Sequence, residues 1–401
     1  MTASPTVVSL FSGAGGLDIG LERAGWETVV ATDIDPAAIR TLRASQAAKI
    51  RIPGAPGRAY LASARILEAD VCDLKAADLR PTGAKPTWRP SLLAGGPPCQ
   101  PWSSAGLQRG FGDSRGLLIR QMLRLADELR PRYVLMENVR GLLTAVGSTG
   151  KHGEAIQAIH AEWRNLGYAV SWATINAANY GAAQRRVRLV MIATADHELP
   201  AFPPPTHDEH GRNGLKRWVS LGDLLSRLPN PDPSDIVEPS GARAKELLSL
   251  KPGTGIRTGG TVEHQRPGGH WGYRQDCFLA DLSLPSRTIR AAGTPDWIRL
   301  GKTMRRLTWA ECAALQGFPS DWELSGQRDA KFRLIGNAVQ TDVAEALGKS
   351  IMDGLMLGRC STPPACPEWP EYFTRRIRGA SADHRANAAT RSRHQSIQAS
   401  L

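Results

Sequence analysis

Val7-Val8-Ser9-Leu10-Phe11 runs without a break into Ser12-Gly13-Ala14-Gly15-Gly16, and then into Leu17 to Ala24, where apolar side chains recur at helical spacing. A short apolar strand, a glycine turn and a helix, in that order, commit a chain to layered α/β architecture. A strand followed by a helix can reach a parallel neighbour only by crossing over one face of the sheet. The pattern then repeats. Thr28 to Thr32 is a second apolar run, ending in Asp33-Ile34-Asp35-Pro36, and Ala37 to Ala48 is again helical in spacing. A short run ends at Glu68-Ala69-Asp70-Val71, Ser91 to Ala94 is another, and Leu117 to Leu129 has the stripe of a half-buried helix. Tyr133 to Met136 and Leu189 to Ala193 are strands, with a helix over His152 to Asn165 between them. The expected core is a largely parallel sheet with helices on its faces.

The style of the chain changes near Pro200. Phe202-Pro203-Pro204-Pro205 opens a region rich in Pro, Gly and His that continues to about Pro285, with little periodicity. Helical spacing returns from Met304 to Phe318, and Ile335-Gly336-Asn337-Ala338-Val339 leads into a helix reaching about Leu355. The division expected is a catalytic and cofactor-binding domain over 1–198 and a recognition region with its return segment over 199–325. A C-terminal helix rejoining the first domain follows over 326–358, then a basic, disordered tail over 359–401.

Bulk properties narrow the class. The 401 residues suffice for a large core, and 41% hydrophobic with 22% charged residues is ordinary for a soluble globular protein. No apolar run approaches the ~20 residues of a membrane span, and the N-terminus lacks an export signal, so a cytoplasmic location is expected. Cys72, Cys99, Cys277, Cys312, Cys360 and Cys366 form no CxxC pair, so spacing suggests neither a zinc site nor a disulfide framework. A net charge of +12 favours a polyanionic partner without choosing between DNA and RNA.

The reactive segments stand at strand ends. Gly95-Gly96-Pro97-Pro98-Cys99-Gln100-Pro101-Trp102-Ser103 sets one thiol in a rigid Pro-Pro frame, posed for attack rather than packing. Met136-Glu137-Asn138-Val139 supplies a carboxyl, and Gln184-Arg185-Arg186-Val187-Arg188 supplies guanidiniums, with Arg186 and Arg188 alternating toward one side. Gly13, Gly15 and Gly16 let backbone approach a ligand closely, while Asp33 and Asp70 end successive strands on the same rim, as in sites for adenosine-containing ligands.

In this order, Phe11-Ser12-Gly13-Ala14-Gly15-Gly16, Pro98-Cys99-Gln100, Glu137-Asn138-Val139, Gln184 to Arg188 and Gly336-Asn337-Ala338-Val339 resemble the motifs of the DNA cytosine-5 methyltransferases. The resemblance covers roughly the first half of the chain and the segment from Arg287 to about Leu355. It implies a Rossmann-like S-adenosylmethionine-dependent methyltransferase fold with a mostly parallel central sheet and a smaller, irregular target recognition domain. By the resemblance, Cys99 adds to cytosine C6, Glu137 stabilises N3 with Asn138 shaping its turn, and Arg188, with Arg186 second, reaches the base or a phosphate. S-adenosyl-L-methionine is the implied cofactor. Phe11, Ser12, Gly13, Gly15 and Gly16 would line it, Asp33 and Ile34 the ribose side, Asp70 and Val71 the adenine. Pro98, Leu118, Asn337 and Ala338 would form the remaining wall.

The implied partner is duplex DNA, since a stacked cytosine must be turned out to meet a thiol. Ser103 to Gly116 resembles the family's mobile loop, with Ser103, Arg109 and Arg115 expected on DNA. Arg287 and Arg290 are expected there too, from a segment resembling the brace of the recognition domain, and Arg305 and Arg306 as phosphate contacts. Trp102, where the family more often has Phe, is a mild departure. No metal or membrane partner is expected; the protein is expected to be a monomer of a bacterial restriction-modification system, with a cognate endonuclease, or solitary. Two other readings stay open at this point: a transfer RNA cytosine-5 methyltransferase and a non-catalytic DNA-binding regulator of the same fold.

Overall fold

A computed structural model of the chain describes residues 4–98, 117–145, 153–196, 198–241, 244–257, 273–291 and 294–357. Strand β1 (Thr6–Leu10) passes through the glycine turn into helix α1 (Gly16–Arg23), and β2 (Glu27–Asp33) leads into α2 (Pro36–Ala47). Next come β3 (Arg65–Glu68), β4 (Leu92–Gly95), α3 (Leu117–Leu129), β5 (Tyr133–Val139) and α4 (Glu154–Asn165). The start of α2 is fixed by Asp35, whose carboxylate accepts the Ala37 N–H, and by Pro36 in the first turn. Strands β6 (Ala169–Asn176), β7 (Gln184–Arg185) and β8 (Val187–Thr194) complete this half of the chain.

Seven of these strands form one sheet in the order β3-β2-β1-β4-β5-β8-β6. The first five are mutually parallel, and β8 runs antiparallel to both β5 and β6. Adjacent residues point to opposite faces, as the pleat requires. Val8, Leu93, Val134 and Met136 pack with Ile119, Met122 and Leu125 of α3 and Ile156, Ile159 and Trp163 of α4. Val7, Leu92, Tyr133 and Leu135 pack on the other face with Leu17 and Leu21 of α1.

The later half adds the pair β9 (His207–Asp208) and β10 (Lys216–Arg217), the short helices α5 (Leu221–Leu225) and α6 (Ala244–Ser249), and a second sheet. That sheet comprises β11 (Thr254–Arg257), β12 (Tyr273–Leu279), β14 (Trp297–Leu300) and β15 (Thr303–Arg306), in that order. Between its strands β13 (Ser286–Arg287) pairs with β7. The region after Pro200 is therefore more regular than its composition suggests. The expected helix from Met304 divides into β15 and then α7 (Trp309–Leu315), because Thr308 caps a new helix. Its hydroxyl accepts the Glu311 N–H while the Glu311 carboxylate accepts the Thr308 N–H, a reciprocal capping box.

Two helices, α8 (Arg328–Asn337) and α9 (Thr341–Leu357), bring the chain back to its beginning. Helix α9 lies on α1 with Val343, Ala344, Leu347 and Ile351 in the same apolar cluster as Leu17 and Leu21. The approach is so close that a Cβ on Gly20 would collide with the Thr341 carbonyl oxygen and the Ala344 methyl. Trp322 adds a second tie by donating its indole N–H to the Ala14 carbonyl in the glycine turn at 2.9 Å. Packing thus crosses residues 198 and 325 alike, since Leu315, Phe318 and Trp322 share one core with Ala14, Ile39 and Leu42 and with Phe332 and Ile335. No helix among the described residues is long and apolar enough to cross a membrane.

Asp18 sits in the first turn of α1 and is fully buried. Burial pushes its carboxyl up to about 6, Asp33 pushes the same way, and the Ser9 hydroxyl opposes them. Because the folded value lies above that of an unfolded chain, the fold favours the neutral acid. That preference is fully present below about pH 4 and is lost as pH rises to about 6, a change of about 3 kcal/mol for a two-unit shift. Asp18→Asn removes this titration. Urea unfolding at pH 4 and pH 7 should show the variant gaining about 2 to 3 kcal/mol on the parent between the two; a difference independent of pH would refute the assignment.

Candidate active site

The carboxyl and one guanidinium meet because β5 and β8 run antiparallel. Val139 stands directly opposite Arg188 in the register, and Glu137 lies two residues before Val139 on the same strand. Glu137 and Arg188 are therefore diagonal neighbours on one face, within reach of long side chains. Arg188 Nε lies 3.1 Å from Glu137 Oε1, with both side chains largely shielded from solvent. Burial raises the pKa of Glu137, and the charges of Arg188 and then Arg186 pull it back. A carboxyl held in that balance can keep or release a proton according to what enters beside it.

The turn carrying the thiol starts alongside. Strand β4 pairs with β5 so that Gly95 stands opposite Met136. Beyond it, Gly96 lies so near the carboxyl that a Cβ there would sit 3.5 Å from Glu137 Oε2. Asn138, itself buried, donates its amide N–H to the Pro97 carbonyl at 3.2 Å and accepts the Val139 N–H at 2.9 Å. Asn138 thus does more than shape its own turn, as it pins the Pro-Pro turn to the strand that bears Glu137. Pro98 is exposed at the end of that turn. Cys99, Ser103, Arg109 and Arg115 lie outside the described residues, as does the whole loop from Ser103 to Gly116.

Arg186 corrects the expectation that it shares a face with Arg188. It falls between β7 and β8 and is only 3% exposed. Its guanidinium donates to the carbonyls of Ile289, Gly336 and Ala338 at 3.1, 3.0 and 2.7 Å. These bonds make it a clamp on the returning chain, with its charge felt by Glu137 from behind. Gln184 completes the clamp by accepting the Ile289 N–H at 3.0 Å, so one residue is held at both its backbone polar groups. Gln184 and Gln316, which donates to the Ile335 carbonyl, went unrecognised in the sequence; the one available signal was the position of Gln184 at the head of the Gln-Arg-Arg run.

At the other end of the same rim the glycine turn and the acid after β2 are tied together. Asp33 accepts the Gly13 N–H on one oxygen and the Asp35 N–H on the other, each at 2.8 Å. Burial raises its pKa and these two N–H groups oppose the rise. Each oxygen keeps a further lone pair for a ligand hydroxyl. Gly13 and Gly15 both have positive φ, and a Cβ on Gly13 would meet nothing within 4 Å, so its backbone faces open space. A Cβ on Gly16 would instead strike the Val339 carbonyl. Ser12 donates its hydroxyl to Ser9 Oγ at 2.9 Å, and Phe11 lies against Gly95, where a Cβ would approach its ring to 3.4 Å. Ile34 is 63% exposed, a large apolar side chain left uncovered directly after Asp33. Asp70 accepts the Cys72 N–H, Val71 is buried beside it, and Leu118 is half-buried at the start of α3. Asn337 is exposed at the end of α8, and Ala338 is buried against it.

Some basic residues expected on DNA are spent inside the protein. Arg287 pairs with Asp296, its Nε 2.8 Å from Oδ2, and stacks over the Phe278 ring at 3.6 Å. Arg305 makes a two-pronged, buried pair with Glu311 at 2.8 and 2.7 Å. Arg306 lies over the Trp297 ring at 4.2 Å and donates to the Pro295 carbonyl. Arg290 is half-buried. For Arg287, Arg305 and Arg306 an acid or aromatic six or nine residues away takes up a charge that looks free in the chain. Among the described residues no group of His, Cys, Asp and Glu is placed to hold a metal ion.

A family model for C-5 cytosine-specific DNA methylases matches residues 5–53 and 64–353. Type II methyltransferase M.NgoFVII of Neisseria gonorrhoeae is 32% identical over 362 residues, covering 87% of this chain and 86% of that protein. Type II methyltransferase M.NgoMIV of the same organism is 30% identical over 352 residues, covering 87% and 98%. Among solved structures, a DNA modification methyltransferase encoded within a prophage of E. coli superposes with a TM-score of 0.60 at 21% identity, covering 89% of this chain and all of that one. Dnmt2 of S. pombe gives 0.59 at 18% identity, covering 88% and 99%. These likenesses support the mostly parallel α/β methyltransferase fold. With a carboxyl, an arginine and the Gly96-Pro97 turn gathered at one end of the central sheet and the family match spanning most of its length, the chain belongs to the C-5 cytosine-specific DNA methylases.

Proposed function

We propose that this enzyme transfers a methyl group from S-adenosyl-L-methionine to C5 of a cytosine turned out of duplex DNA at a defined sequence. It would serve as the modification partner of a Type II restriction endonuclease or act alone, in the cytoplasm. The observation that carries the reading is the buried Glu137–Arg188 pair beside the Pro97 turn.

S-adenosyl-L-methionine supplies an electrophilic methyl on a sulfonium. The residues fit such a ligand: Asp33 keeps acceptor capacity for ribose hydroxyls, Ile34 offers an uncovered apolar surface for a flat base, and Gly13 leaves room at the backbone. Phe11, Ser12, Gly15, Gly16, Asp70, Val71, Pro98, Leu118, Asn337 and Ala338 complete the proposed wall.

The cytosine chemistry follows from its electron distribution. C5 is a weak nucleophile until a group adds at C6. The Cys99 thiolate forms a bond to C6, the displaced π electrons move toward N3, and the Glu137 carboxyl donates a proton there. Arg188 orients Glu137 and presents a donor toward the base O2. C5, now an enamine carbon, takes the methyl, and the broken C–S bond leaves its electron pair on the donor sulfur as S-adenosylhomocysteine. The N3 proton returns to the Glu137 carboxylate, a water accepts the C5 proton, and the pair from that C–H bond forms C5=C6 as Cys99 departs as thiolate, restoring the aromatic ring. The region over 199–325 reads the surrounding bases in this proposal, and 1–198 with 326–358 performs the transfer.

Cys99→Ser should abolish labelled methyl incorporation into duplex DNA while leaving cofactor affinity unchanged; full methylation by this variant would remove Cys99 from the mechanism. Glu137→Gln should slow turnover by about 10²- to 10⁴-fold. A parental rate in that variant would take Glu137 out of proton donation. Bisulfite sequencing of DNA from a host expressing the protein should show one methylated sequence context. Label entering transfer RNA instead of duplex DNA would overturn the choice of substrate.

A further inference from the structure

Asp35 lies two residues beyond Asp33 and is engaged on three sides. Its N–H is given to Asp33 Oδ1 at 2.8 Å, its Oδ1 accepts the Ala37 N–H at 3.0 Å, and its Oδ2 lies 2.7 Å from the Arg333 guanidinium. Arg333 belongs to α8 and precedes Asn337 by four residues, so the two share one face of that helix. A ring of contacts follows. It runs from Gly13 to Asp33, to Asp35, across the ion pair to Arg333, along α8 to Asn337 and Ala338, and back through Val339 to Gly16. Every residue proposed for the ribose side of the cofactor lies on this ring or next to it, the exposed Ile34 included.

The ion pair is the ring's side-chain link between the N-cap of α2 and helix α8. Arg333 is 47% and Asp35 22% exposed in their side chains, so the pair adds little to global stability. Helix α8 is anchored without it by Phe332, Leu334 and Ile335, all buried. What the pair can set is local: the placement of the Asp33-Ile34-Asp35 turn against the exposed end of α8.

We propose that Arg333 is a positioning residue for the methyl donor, holding the ribose-side turn against Asn337 through Asp35 without touching the reacting atoms. This rests on the reading of the site as one for S-adenosyl-L-methionine. The test is titration calorimetry of the full chain with S-adenosylhomocysteine, alongside steady-state kinetics on duplex DNA.

Arg333→Ala should raise the Kd for S-adenosylhomocysteine and the KM for the methyl donor about three- to tenfold, leaving kcat at saturating donor, the KM for DNA and the unfolding temperature unchanged. Arg333→Lys should restore most of the affinity. Asp35→Asn keeps an acceptor for the Ala37 N–H and removes only the charge; it should match Arg333→Ala, and the double variant should be no weaker than either single one. An unchanged Kd in both single variants overturns the proposal, as does a loss confined to kcat or to the KM for DNA. If the parent protein fails to bind S-adenosylhomocysteine, the cofactor reading itself fails, an outcome distinct from parental binding by Arg333→Ala.

Discussion

The contact on which the site depends is the one between the first helix and the last. Gly20 and Gly348 let α1 and α9 approach almost backbone to backbone, Gly348 leaving no room for a Cβ beside the Ala24 methyl. Residues 1–50 hold the glycine turn only in part. Gly16 rests on Val339, Ala14 is held by Trp322, and Arg23 reaches Thr341 and the Gly317 carbonyl. The wall proposed for the cofactor thus draws on both ends of the described chain, and the packing of two helices sets its geometry together with the turn.

At the other end of the rim the governing constraint is strand direction. In the parallel part of the sheet, β4 and β5 deliver their carboxyl ends side by side, which brings the Pro-Pro turn to Glu137. Strand β8 runs the other way and so brings its beginning, with Arg188, to the same edge. Arg186, two residues earlier, has already left the ladder and turned inward to grip Ile289, Gly336 and Ala338. One short segment therefore lays one arginine beside Glu137 and spends the other on assembly.

Much of this was legible in the sequence, for a physical reason in each case. The strand, glycine turn and helix at Val7 to Ala24 announce themselves because pleat and helix periods differ and because only glycine tolerates the turn. Glu137 and Arg188 stood out by motif, and the register of β5 and β8 explains why they meet. Other features were not legible. Asp296 nine residues beyond Arg287 and the pairing of Arg333 with Asp35 are relations between sites that no local pattern encodes, whereas the Thr308–Glu311 capping box is a local T-x-x-E signal that the apolar spacing from Met304 overshadows. Arg186 misled because alternation was assumed to continue through a position where the ladder is broken.

The antiparallel placement of β8 also bears on how such an enzyme tolerates insertions and deletions. Because side chains alternate with a period of two, sliding β8 by one residue against β5 would carry Arg188 to the opposite face, away from Glu137. Leu189 to Ala193 is apolar on both faces, so a slipped strand would still bury apolar side chains. A length change ahead of β8 that shifted its register would then part Arg188 from Glu137 while leaving the sheet buried.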